Sequence, residues 1–186
     1  IAGLLFRFSG QSMWKTSLAD PLVAIGGILL FAGMLVFGLT LLDVVRKSSS
    51  KSGPAEIWII SGIAWSMVAG ALHLAVTVRM AIDSAPLGHV TWNEALIYTT
   101  LFGFISSFIF GVSARAIRGF LVLKPMYERL NVVSLALIQI DLITLVIGRF
   151  ADLEQGVASV GLILASLGAL LYVFALRVLE PASGPV

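Results

Sequence analysis

The sequence predicts an all-α fold, a polytopic integral membrane helix bundle with about five transmembrane helices, and three observations support this. Of the 186 residues, 59% are hydrophobic and only 12% are charged, whereas a soluble domain carries roughly 25% charged residues. The mean hydropathy is +1.03. Five apolar stretches reach or approach the roughly 20 residues that an α-helix needs to cross a bilayer core. The lipid bilayer is therefore the expected partner of most of the surface.

The five predicted spans follow one another with short connections. Asp20-Pro21 is a helix start, and a serine-, glycine- and proline-containing run at 48–54 separates the first two spans. The spans cover 21–45, 57–81, 93–120, 130–148 and 156–179. We therefore expect an extracytoplasmic or truncated N-terminal segment at 1–20, a five-helix membrane domain at 21–180 and a C-terminal tail at 181–186.

Basic residues at the span ends predict the orientation, because cytoplasmic loops carry the excess of Lys and Arg. One side of the predicted bundle holds Arg7, Lys15, Arg79 and Arg149. The other side holds Arg46, Lys47, Lys51, Arg115, Arg118, Lys124, Arg129 and Arg177. The asymmetry predicts an N-terminus outside the membrane and a C-terminus in the cytoplasm.

Composition excludes several kinds of chemistry. Without cysteine, the chain has no disulfide, iron–sulfur cluster, thiolate zinc site or cysteine nucleophile. Two histidines cannot by themselves complete a multi-histidine metal centre. A net charge of +2, dispersed over the chain, predicts no binding of nucleic acid.

Small residues recur at four-residue spacing in two of the predicted spans. They are Gly62, Ser66 and Gly70 in the second span, and Gly103, Ser107, Gly111 and Gly119 in the third, where Arg115 occupies the one remaining position of the row. Such rows let helix backbones approach closely. We therefore expect the second and third spans to pack as a tight antiparallel pair.

His73 lies in the second span, about 12 Å inside its outer end at 1.5 Å per residue. It falls within roughly 40° of Gly62, Ser66 and Ala69 on a helical projection. Because Ala69 and Gly70 lie one turn before it, a flat macrocycle could approach an imidazole ligand there. A haem or chlorin ligand is one interpretation, and a hydrogen bond to a neighbouring helix or a proton relay is the other. His89, in an outer loop, is either solvated or a second metal ligand.

Asp141 is the one carboxylate deep within a predicted span. A charged carboxylate there costs about 2.5–3.5 kcal/mol on insertion scales, so we expect it to be protonated, paired or facing a polar cavity. Two roles are open for Asp141: it belongs to a proton path, or it is neutral and forms a hydrogen bond between helices. Arg115 and Arg118 end the third span, where they either anchor it at the cytoplasmic surface or bind an anionic group such as haem propionates.

The run at 101–121, LFGFISSFIFGVSARAIRGFL, resembles the glycine-rich helix that ends in an arginine-containing turn in the NnrS family. That family comprises polytopic membrane proteins associated with haem, copper and the bacterial response to nitric oxide. The resemblance implies a bacterial cytoplasmic (inner) membrane, haem b, His73 as a haem ligand, and Arg115 and Arg118 as the family-like turn. Gly119 replaces the usual proline, and the family's histidine-rich first helix is absent, so copper binding does not carry over.

Two functional hypotheses follow from the sequence. The first is an integral membrane haem-binding protein, linked to the nitric-oxide response or to respiratory electron transfer, with His73 as axial ligand. The second is a non-catalytic subunit packed against other membrane subunits of a respiratory or photosynthetic complex, where a chlorin pigment replaces haem. No catalytic residue is identified in the chain. A transporter has less support, since no proline interrupts the second to fifth spans.

Overall fold

The computed structural model describes residues 1–47, 53–83, 90–121, 126–151 and 154–177, and all regular secondary structure within them is helical. The described helices are α1 (Ala2–Ser12), α2 (Ala19–Lys47), α3 (Pro54–Ile82), α4 (Val90–Tyr98), α5 (Ser106–Leu121), α6 (Glu128–Phe150) and α7 (Glu154–Ala175). A π-helical segment, Thr99–Ile105, joins α4 to α5. The predicted all-α class is confirmed.

Four of these helical stretches are long and apolar enough to cross a membrane. They are Ala19–Lys47, Ala55–Ile82, Val90–Ile117 and Glu128–Phe150, and α7 contains the shorter apolar stretch Val160–Ala175. About five membrane helices are thus close to what the structure has, which supports a multi-pass protein in a lipid bilayer. Three of them, Ala19–Lys47, Ala55–Ile82 and Glu128–Phe150, extend one to two residues beyond the predicted spans at each end, a difference within the usual uncertainty of helix ends.

The helices belong to two compact units. Unit 1 consists of Ile1–Lys47 and Ile63–Phe104, and unit 2 of Ser48–Gly62 and Ile105–Val186. The helix α3 contributes its first part to unit 2 and the remainder to unit 1. Part of the predicted N-terminal segment forms α1 in unit 1, whereas the predicted tail at 181–186 lies outside the described residues.

In unit 1, α1 runs antiparallel along the first half of α2. A Cβ atom on Gly3 would lie 2.8 Å from the Gly26 carbonyl oxygen, and one on Gly10 would lie 2.8 Å from the Ala19 carbonyl oxygen. Real side chains do not approach that closely, so glycine is required for this backbone-to-backbone contact. On the neighbouring α3, Val76 and Met80 form an apolar cluster with Val23 of α2.

In unit 2, α5 packs against the start of α3, and α7 packs against α6. A Cβ atom on Gly111 would lie 2.8 Å from Ile59 and 3.2 Å from the Ala55 carbonyl oxygen. Ser134 of α6 donates a hydrogen bond of 2.6 Å to the Gly168 carbonyl oxygen of α7. The contact at Gly111 agrees with the predicted antiparallel pair of spans. In the small-residue row of the second span, however, Gly70 faces α2, as described below.

Candidate functional site

The imidazole of His73 contacts a guanidinium from α1. Nη1 of Arg7 lies 2.7 Å from Nε2 of His73 and 3.2 Å from Nδ1. Because a guanidinium only donates hydrogen bonds, one of the two ring nitrogens has to be the acceptor. The contact therefore requires a neutral imidazole, and which ring nitrogen accepts depends on its tautomer.

Close packing of α1 on α2 positions this pair. A Cβ atom on Gly26 would lie 2.6 Å from the backbone nitrogen of Arg7, so only glycine lets α1 come near enough for Arg7 to reach across to α3. Thr77, one turn after the histidine, donates to the His73 carbonyl oxygen at 2.9 Å. Sequence reasoning missed Arg7 as a site residue, because it was counted only as an outer basic charge.

The charge of Arg7 is not balanced by a carboxylate. Across the described part of the chain, no carboxylate lies within ion-pair distance of its guanidinium, and its hydrogen-bond partner is the uncharged ring of His73. The guanidinium is half-buried. A partly desolvated cation of this kind favours an anion with oxygen acceptors, since charge-assisted hydrogen bonds to carboxylate or phosphate are the strong ones.

Three other residues predicted for the His73 site lie on the same stretch of α3, in unit 1. Ala69 is fully buried, and Ser66 donates its hydroxyl to the Ile63 carbonyl oxygen at 2.7 Å. Gly70 faces α2, where a Cβ atom would lie 3.2 Å from Met34 and 3.3 Å from Phe31. The groove expected beside Gly70 is thus covered by two side chains, of which methionine is the more adaptable.

An apolar pocket of about 440 Å³ lies in unit 1 between α1, α2 and the π-helical segment. Its lining includes Gly3, Leu30, Met34 and Phe104, but not His73. Met34 therefore borders both the pocket and Gly70. The lining carries no charged side chain, so the pocket by itself offers mainly apolar contact, together with the thioether of Met34.

Arg115 has a partner that the sequence did not predict. Its Nη2 lies 3.4 Å from Oε1 of Glu56, a buried carboxylate near the start of α3, and both residues belong to unit 2. Because the Arg115 side chain is 62% exposed, solvent screens the pair and its contribution to stability is small. Arg115 therefore already has an anionic partner within unit 2.

The remaining predicted site residues fall partly outside the description. Arg118 lies in α5, but its side chain is outside the described part of the structure, as is His89 as a whole. Within the described ranges, no group of three or more His, Asp or Glu side chains could hold a metal ion. His73 is assigned to unit 1 and Arg115 to unit 2.

Asp141 lies in the middle of α6, and its side chain faces α7. The residue is only 7% exposed, and its Oδ1 has no hydrogen-bond partner among the described residues. A Cβ atom on Gly161 of α7 would overlap Oδ1 and would lie 3.3 Å from Leu145. Glycine at that position therefore provides the space that the carboxyl group occupies.

No protein-family model matches this chain, and no curated protein or solved structure is significantly similar to it, so its function has to be argued from its own residues.

Proposed function

We propose that the chain is an integral membrane haem-binding protein whose unit 1 takes haem b, with His73 as the axial ligand. The observation behind the proposal is the pairing of His73 with Arg7. A histidine imidazole is a common axial ligand of haem iron, and the ring has to be neutral to coordinate. The hydrogen bond from Arg7 holds it in that form.

Arg7 is the second element of the proposed site. Haem is an apolar ring with two propionate carboxylates, and a guanidinium binds such a carboxylate through charge-assisted hydrogen bonds. In such a site Arg7 would pair with a propionate instead of His73, and Met34 and Phe31 would have to move aside from Gly70 to admit the ring. The bound haem would supply iron for electron transfer or for binding of a gas such as nitric oxide.

The proposal is tested by haem titration of the purified protein in detergent, followed by its absorption spectrum. Wild type is expected to shift and sharpen the Soret band of the added haem up to stoichiometric haem, and His73→Ala is expected to lose this change or alter it. Arg79→Gln is the matched control, because Arg79 is an exposed arginine near the end of the same helix, paired with Asp83. A wild-type spectrum identical to that of free haem in the same detergent, or a bound-haem spectrum unchanged in His73→Ala, contradicts the ligand assignment.

Haem dimethyl ester separates the role of Arg7 from that of His73. The ester keeps the iron and the ring but has no charged propionate, so Arg7 has nothing to pair with. A charge-assisted hydrogen bond contributes about 1.5–3 kcal/mol, so wild type is expected to bind haem roughly ten- to hundredfold more tightly than the ester. Arg7→Met is expected to bind both alike. Equal affinities in wild type would contradict the role given to Arg7.

We further propose the orientation and location that the basic residues and the family resemblance favour. The protein lies in a bacterial inner membrane, with its N-terminus outside and its C-terminus in the cytoplasm. Stoichiometric co-purification with other membrane subunits, together with failure to bind haem, would instead favour a non-catalytic subunit of a larger respiratory or photosynthetic complex, with a chlorin as the alternative pigment.

Single introduced cysteines test the orientation cleanly, because the native chain has none. Thr16→Cys lies on the exposed connection before α2, and Lys47→Cys at the exposed end of the same helix. In intact cells, a membrane-impermeant maleimide is expected to label Thr16→Cys, whereas Lys47→Cys is expected to react only after permeabilisation. The reverse pattern would show the opposite orientation.

A further inference from the structure

Asp141 is the buried ionisable group that the proposed haem site does not use. It lies in unit 2, whereas His73 and Arg7 belong to unit 1. Its helix, Glu128–Phe150, is one of the candidate membrane spans. Asp141 is deeply buried, and two further features set it apart from the other carboxylates discussed: an oxygen without a donor among the described residues, and a glycine that makes room for the carboxyl group.

We propose that Asp141, seated against Gly161, is a membrane-embedded proton-binding site. A carboxylate in an apolar medium is stable only when hydrogen-bond donors or a cation compensate its charge. Among the described residues, no hydrogen-bond donor reaches Oδ1 and no cation forms an ion pair with Asp141. Binding a proton removes the charge.

Glu56 provides the internal comparison. It is equally buried, at 5% exposed, but its carboxylate lies 3.4 Å from the guanidinium of Arg115. A cation at that distance compensates a negative charge. The same physical argument that gives Asp141 a proton therefore leaves Glu56 ionised. The two residues are a matched pair of buried carboxyl groups with opposite expected states.

The infrared spectrum of the full-length protein in lipid vesicles distinguishes these states directly, because a protonated carboxyl group has a C=O band that a carboxylate lacks. Wild type is expected to show this acid band, with the small downward shift in deuterated water typical of an exchangeable proton. The band is expected to disappear in Asp141→Asn, which keeps the side-chain shape, and to persist in Glu56→Gln. Absence of the band from wild type, or its persistence in Asp141→Asn, overturns the proposal.

A hydrophobic carbodiimide, dicyclohexylcarbodiimide, gives a second readout that needs no variant to fold. The carboxyl oxygen adds to the central carbon of the reagent while the acid proton passes to one of its nitrogens. Acyl transfer from oxygen to nitrogen then leaves a stable N-acylurea without loss of any atom. Mass spectrometry of wild type is expected to find this adduct on the peptide that contains Asp141 and not on that of Glu56. Exclusive labelling of Glu56 would overturn the assignment.

The two proposals fail separately. If wild type lacks the infrared acid band, the proton site fails, but the haem titration is not affected, because the proton site uses no atom of His73 or Arg7. A chain that binds no haem can still carry the proton on Asp141.

Discussion

Replacing Trp58 by alanine is expected to lower the free energy of unfolding of unit 2 by about 3–5 kcal/mol, the usual cost of truncating a buried large aromatic side chain. The indole is 0% exposed. Its ring lies 4.8 Å from that of Phe110 and 5.5 Å from that of Tyr172, measured between centroids. Alanine would remove these contacts from the centre of the apolar cluster.

The same substitution also removes a buried hydrogen bond. Nε1 of Trp58 donates to Oδ1 of Asn131 at 2.8 Å, and Asn131 is itself fully buried. A buried acceptor that loses its donor costs about 1–3 kcal/mol. Trp58→Phe, which keeps most of the ring contacts but lacks the donor, is therefore expected to lose about this smaller amount.

Unfolding by sodium dodecyl sulfate in mixed micelles, followed by far-UV circular dichroism, measures both effects. Trp14→Ala is the matched control, because Trp14 is 50% exposed on the connection between α1 and α2. Its midpoint is expected to stay close to that of wild type. If Trp58→Ala unfolds at the wild-type midpoint too, the indole does not contribute to the core in the way that its burial indicates.

Trp58 also shows a limit of sequence reasoning. The tryptophan lies near one end of a predicted span, where aromatic residues commonly line the membrane interface. The sequence alone therefore suggests an indole ring at the interface. The position of a residue along a span indicates its depth in the membrane, but not the direction in which its side chain points. Whether the ring faces lipid or protein depends on which helices lie beside it, and the packing of α5 at Gly111 turns this part of α3 inwards.

The helices themselves were predictable because a membrane span is a property of one continuous segment. About 20 apolar residues are sufficient to define it, whatever the neighbours are. The contacts of a small residue are different. Gly70 was predicted in a row facing the third span, but it contacts Met34 and Phe31 of α2. Small residues permit close packing on several helices without specifying the partner.

In the candidate sites, too, single residues were predictable from the sequence and their contacts were not. His73 and Asp141 were predicted as singular residues, because ionisable side chains within spans are rare and conspicuous. Their partners were not predicted, since Arg7 lies 66 positions from His73 in the sequence. Nothing in the sequence around Gly161, on the next helix, indicates that it faces a carboxyl group. Such pairings depend on the tertiary packing and leave no local pattern.

Two glycines of α2 are expected to respond oppositely to the same change. A Cβ atom on Gly27 would overlap the hydroxyl of Thr77, whereas one on Gly33 would meet nothing within 4 Å. Thr77 cannot turn away easily, because its Oγ1 donates at 2.9 Å to both the His73 and the Leu74 carbonyl oxygens. Gly27→Ala is therefore expected to destabilise unit 1 by about 1–3 kcal/mol, the usual cost of overpacking. Gly33→Ala is expected to stabilise it by up to about 1 kcal/mol through helix propensity.

The double variant Gly27→Ala with Thr77→Gly places the added methyl group where the threonine side chain was. If the overlap is the cause, the double variant loses less stability than the sum of the two single variants. Because Thr77 is bonded to the His73 carbonyl, Gly27→Ala is also expected to weaken haem binding, and Gly33→Ala is not. Detergent-unfolding midpoints and haem titrations of the four variants check both results. Strictly additive losses would mean that α2 and α3 separate freely at Gly27, and the close contact would then have no role in positioning His73.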